Sequence, residues 1–184
     1  MALDLHDPAL AALAPRFEAL EPRTRAAIAG LLPEAMAKAP PHRGWSIAET
    51  FEHLIVGNGS YFPAMEAALA RSRRQGRTTR PKRTTFFGRL LVGAMAETST
   101  RKVPTSRKLE PRTVRANVVE EFLAGLARAG ALMREADGAD LGTMMSSPIL
   151  PIIRLNDGEA FELLVTHTER HLGQIERTRR SIGA

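Results

Sequence analysis

The chain contains no cysteine. Disulfides, thiolate metal sites and a cysteine nucleophile are therefore excluded, and any metal must be held by histidine or carboxylate. Aromatic residues are also scarce, at 5% of 184 residues with one Trp and one Tyr, while alanine is abundant. That balance favours thin, closely packed helices over a β-sandwich. No apolar run approaches the ~20 residues of a membrane span, and the first residues lack the basic-then-apolar pattern of a signal peptide. With no cysteine to oxidise, a cytoplasmic protein without a membrane partner is expected. Glycine-rich phosphate loops, internal repeats and strand-like series are missing as well.

What is present suits one globular domain spanning residues 1–184, with 43% apolar and 25% charged residues. The net charge of +6 is unevenly spread. Residues 71–115 hold 14 Lys and Arg against two acids, whereas the remainder holds 12 against 18. The Arg-rich run 71–83 has three readings: a solvated connection, an anion-binding rim above a site, or a nucleic-acid contact. The last is the least supported, because no interleaved aromatics or recognition helix accompany the basic residues.

Periodicity predicts an almost wholly helical chain, with long helices near 16–38, 46–72, 112–136 and 157–180. Asp7-Pro8 suits a helix start, and Pro33 is expected to bend or split the first long helix. Ser46-Ile-Ala-Glu49 reads as a capping box opening the second, with Gly57, Gly59 and Pro63 weakening its middle. Asn156-Asp157 caps the last helix. Residues 72–112 form a long basic crossover between the second and third helices. Within it, Thr85–Ala96 (TFFGRLLVGAMA) reads as a short apolar helix and 102–111 as extended. Residues 147–154 read as an extended or turn segment.

The last helix carries His167-Thr-Glu-Arg-His171. A spacing of four places both imidazoles on one face, one turn apart, beside Ala160, Leu164 and Ile175 and away from Glu162, Glu169, Arg177 and Arg180. Two inward histidines need polar partners, and a divalent metal is one such partner. On the second helix Glu49, His53, Gly57 and Ser60 form another stripe, readable as a polar surface or as the wall of a small cavity. Gln174, one turn past His171, suits either a ligand-orienting role or an interhelical hydrogen bond, the latter favoured. Glu49 suits either a hydrogen-bond partner of a histidine or the third residue of the capping box, the latter favoured. Trp45 reads as a core anchor, and His6 and His42 as solvated.

The stretches WSIAETFEHL, KVPTSRKLEP and HTERHLGQI, taken together, resemble the DinB-like superfamily, and the likeness covers nearly the whole chain. The resemblance implies an antiparallel four-helix bundle with a long crossover between helices two and three. It also implies one divalent metal on His53, His167 and His171; the places of Glu49, Gly57, Ser60 and Gln174 on the two helices make them the candidate neighbours of that site. Three neutral imidazoles with an open position is the arrangement of a catalytic metal. Zinc or nickel fits such a set best, with manganese and iron as further choices. Some members of that superfamily are transferases using low-molecular-weight thiols such as bacillithiol or mycothiol, so a small-molecule substrate and a thiol are the implied partners. The enzyme reading is a metal-dependent thiol S-transferase or hydrolase. The alternative is a non-catalytic metal-binding or stress-associated bundle. A homodimer is expected, both from the resemblance and because Thr85–Ala96 is an apolar segment in need of cover.

Overall fold

The computed structural model describes residues 3–41, 44–76, 84–97 and 107–184. His42 and most of the 71–83 run lie outside them. In chain order the elements are α1 (Pro8–Glu18), α2 (Leu20–Ile28), α3 (Pro33–Ala37), α4 (Ile47–Gly59), α5 (Phe62–Arg74), α6 (Phe86–Met95), a 3-10 turn (Arg107–Leu109), α7 (Val118–Ala136), β1 (Met144–Ser146), β2 (Arg154–Asn156) and α8 (Asp157–Ser181). The fold is predominantly helical.

Two of the predicted long helices are broken, each for a local reason. The 16–38 helix is three pieces. Pro22 has no N–H for the carbonyl of Glu18, Gly30 turns the chain at φ +75, and Pro33 starts α3. The 46–72 helix breaks at Ser60-Tyr61, because Pro63 cannot donate to the carbonyl of Gly59. Where 112–136 was expected, α7 begins only at Val118. No strands were expected, yet β1 and β2 form a short antiparallel hairpin that flanks the predicted turn segment and pairs Met145 with Leu155. Its role is to deliver the chain into α8: the backbone N–H groups of Asp157 and Gly158 donate to the carbonyls of Thr143 and Leu141. The side chain of Asn156 and that of Glu159 then cap each other's backbone.

α8 is the spine. Its first half packs Phe161, Leu164 and Val165 against Leu10, Met65, Leu69 and Met133. Its second half packs Leu172 and Ile175 against Leu20, Ile47, Phe51, Leu54 and Phe122. Each fully buried side chain of this size contributes about 1.5–3 kcal/mol, so the helices are held together by apolar packing on both sides of residues 167–171. α4 lies against α7 and α8 and faces that junction.

The apolar helix α6 packs along α8 of its own chain. Thr85 caps it, and the carboxylate of Glu159 accepts from both the backbone N–H and the hydroxyl of Thr85. Gly88 permits this approach, since a Cβ there would collide with the Glu159 carboxylate. At the other end Arg170 donates to the carbonyl of Ala96 at 3.0 Å, and Glu97 pairs with Arg23. The outward face of α6 keeps Phe86 and Phe87 more than half exposed. No described helix is long and apolar enough to cross a membrane.

Candidate metal centre

The capping box at Ser46 and Glu49 forms as the spacing predicts: the serine hydroxyl accepts from the Glu49 N–H at 3.2 Å, and the carboxylate accepts from the Ser46 N–H at 2.7 Å. That sets the start of α4 and with it the rotation that turns His53 inward, where it is buried. The Glu49 carboxylate is used in the cap, and it makes no hydrogen bond to His53, His167 or His171. From α8, one turn apart, come His167 and His171. The three side chains offer ligand nitrogens that all lie within 4.8 Å of one another.

Each of the three rings is held through Nδ1 by a carbonyl-type oxygen. His53 Nδ1 lies 2.9 Å from the backbone carbonyl of Leu109. His167 Nδ1 lies 2.9 Å from Oδ1 of Asn58. His171 Nδ1 lies 2.9 Å from Oε1 of Gln174. A backbone carbonyl can only accept, so His53 carries its proton on Nδ1. The Asn58 amide is oriented by a further link. The Thr168 hydroxyl donates to the Leu164 carbonyl at 2.8 Å and so accepts from Asn58 Nδ2 at 3.0 Å, which points the Asn58 oxygen at His167. His167 is therefore also protonated at Nδ1. Both Nε2 atoms then present lone pairs to each other, 3.2 Å apart. Two facing acceptors repel unless something positive lies between them. Two nitrogens bound to one tetrahedral zinc-like ion at ~2.0 Å would stand about 3.3 Å apart, so the observed separation already fits that role.

Protonation of the rings is opposed. Burial holds His53 below its ordinary pKa, against the bond to Leu109. Burial, reinforced by the other two histidines and by Arg170, keeps His167 well below. Burial, then His53, bring His171 down to about 3. At neutral pH the cluster is three neutral imidazoles, the form that binds metal. The described residues could hold a metal ion here.

A family model described as the DinB superfamily matches residues 16–175. The chain belongs to the DinB superfamily. The match spans all three histidines, the whole of α4 and α8 as far as Ile175. Neither the curated proteins nor the solved structures gave a significant match to the chain.

Within this DinB-superfamily chain the remaining predicted residues take sharper roles. Gln174 bonds His171 on its own helix, not a neighbouring helix. Gly57 is the contact point for His167: a Cβ there would lie 3.2 Å from Cε1 of that ring. Ser60 turns its hydroxyl back onto the Gly57 carbonyl at 2.7 Å and does not reach the histidines. Trp45 is not a core anchor but a half-buried cover, its ring centroid 4.6 Å from His53 and 6.3 Å from His171. His6 is exposed, as expected, but pairs with Asp137 at 3.0 Å. Sequence reasoning missed Asn58, Thr168 and Leu109. Asn58, between Gly57 and Gly59 and four residues past Leu54, falls outside the stripe of Glu49, His53, Gly57 and Ser60. The Leu109 carbonyl carries no side-chain signal at all.

Proposed function

We propose that this protein is a metal-dependent enzyme whose centre is His53, His167 and His171. The single observation that carries the reading is the bonding of all three Nδ1 atoms to carbonyl-type oxygens, in a cluster whose ligand nitrogens lie within 4.8 Å of one another, so that Nε2 is the nitrogen each ring has left to offer. Partners of this kind on the far ring nitrogen fix tautomer and orientation and raise ligand basicity, as they do around protein-bound metals. A divalent ion bound there, zinc or nickel in first place, would supply Lewis-acid activation of a thiol or a water.

The chain's own groups favour an anionic partner. Among the described residues, the charged side chains that lower the pKa of the histidine pair are Arg170 and, for His171, Arg177. Three neutral imidazoles leave the charge of a bound cation uncompensated, and an anionic fourth ligand would offset it. A low-molecular-weight thiol, ionised to its thiolate, meets that requirement, and a transferase acting on such a thiol is the reaction class we favour. Trp45 covers the cluster from one side and excludes water there.

We place this site in a single domain over residues 1–184. Its architecture is an antiparallel four-helix bundle with residues 72–112 as the crossover, and it assembles as a homodimer through the outward face of α6. The test is turnover. Protein loaded with zinc or nickel is offered an electrophilic small molecule with bacillithiol, mycothiol or glutathione. Activity dependent on both metal and thiol, and lost in His53→Ala, supports the reading. Tight metal binding with no turnover under any thiol or with water would leave a metal-binding bundle without catalysis.

A further inference from the structure

Glu52 is the neighbour of His53 on α4, is 5% exposed, and is not a candidate ligand. Its carboxylate reaches the far end of the crossover: Oε2 accepts from the backbone N–H of Arg115 at 3.2 Å, and Oε1 lies 3.5 Å from the Arg115 guanidinium. The same guanidinium reaches Glu121 at 3.2 Å, in the first turn of α7. Six residues earlier, Leu109 is buried and gives its carbonyl to His53. Two successive residues of α4 thus grip the two ends of one segment, 107–115. One grip is a metal-ligand candidate and the other an ion pair.

We infer that metal loading and docking of residues 107–115 are a single coupled equilibrium, and that Glu52 is a positioning residue which orients His53 through that segment. The inference rests on the metal reading above. When a cation draws electron density from the His53 ring, its Nδ1–H becomes a stronger donor and the bond to Leu109 tightens. When the segment lifts away, His53 loses the acceptor that fixes its tautomer and ring angle, and ligation weakens. Linkage makes the two effects equal in size.

The coupling can be separated from simple charge effects by two substitutions of opposite sign. Glu52→Ala removes a negative charge near the site, and Arg115→Ala removes a positive one. Electrostatics alone would weaken cation binding in the first and strengthen it in the second. Coupling through the segment weakens it in both, by about five- to tenfold, below the 10–100-fold typical of direct partners of a ligand. Zinc affinity is read by competition with a chromophoric chelator. Limited trypsin digestion, followed peptide by peptide, gives an independent readout at Arg107, Lys108 and Arg112. Saturating zinc should slow cleavage there by a similar factor in the wild type and leave it unchanged in His53→Ala. Opposite-signed affinity changes in the two variants would overturn the inference, as would zinc-independent cleavage in wild-type protein shown to bind zinc. If the wild type binds no zinc, the metal reading itself fails, a distinguishable result.

Discussion

Gly57→Ala is a small perturbation with a sharp expected effect. The added methyl carbon would sit 3.2 Å from His167 Cε1, inside normal carbon–carbon contact. The ring must give way by a few tenths of an ångström, because the backbone of α4 is buried at Gly57 and held by helix bonds. His167 is tethered by Asn58 on the other side of Nδ1, so the shift carries to Nε2. Metal–ligand distances tolerate only about 0.2 Å. Affinity for zinc should therefore fall by about tenfold, or ~1.4 kcal/mol. The fold should not suffer in proportion, since alanine is favoured over glycine in a helix by roughly 0.5–1 kcal/mol. Gly59→Ala, two residues on, is the control: a Cβ there meets nothing within 4 Å. The assay is cobalt(II) titration followed by zinc competition, with melting temperature measured on the metal-free proteins. Zinc affinities of Gly57→Ala and Gly59→Ala within twofold of each other would refute the contact argument.

Other outcomes follow from the same geometry. Asn58→Leu and Thr168→Val each break the chain that fixes the His167 tautomer, and each should lower metal affinity by about 10–100-fold, measured by the same competition. The buried histidines have folded-state pKa values below the ~6.5 of the unfolded chain. The stability they confer is therefore complete above pH 6.5 and is lost as pH falls below it. His171, at about 3, alone contributes a loss of about 2 kcal/mol by pH 5 in the metal-free protein; urea midpoints that stay flat from pH 7 to 5 in wild type, but move in His171→Gln, would contradict this. Asp157 works in the opposite sense. It is fully buried, neither oxygen has a hydrogen-bond partner among the described residues, and burial raises its pKa to about 7. Stability from the protonated acid is lost as pH rises towards and past 7, so Asp157→Asn should gain more stability at pH 8 than at pH 5. Phe86→Ser combined with Phe87→Ser should shift the protein to monomer in sedimentation velocity; a wild type already monomeric at micromolar concentration would reject the dimer.

Much of the scaffold was readable because it rests on strong local chemistry. The capping boxes at Ser46 and Asn156 and the Thr85-led apolar helix each depend on side chains within four residues, and the sequence displays them directly. The three histidines were visible from spacing on α8 and from one signature on α4, and the structure brings them together. The helix breaks were less legible. Pro22, Pro33 and Pro63 announce weakness, but whether a proline bends or ends a helix depends on the carbonyl it leaves unpaired and on what packs nearby. The β1–β2 hairpin was missed because three-residue strands carry too little alternation to register. Trp45, at the entry to α4, reads as a core anchor from its position, whereas its half-buried ring lies against His53 and His171. Partners such as the Leu109 carbonyl, 56 residues from His53, belong to tertiary structure and leave no mark on local pattern.

The central claim is that three Nε2 atoms hold one divalent ion. It is tested most directly by metal analysis and X-ray absorption spectroscopy of untagged protein purified without added metal and then titrated with zinc. The account predicts one ion per chain, with three imidazole nitrogens at about 2.0–2.2 Å, and loss of that signature in His53→Ala while helix content is retained. An ion absent from the titrated wild type, or bound without imidazole nitrogen, would contradict it.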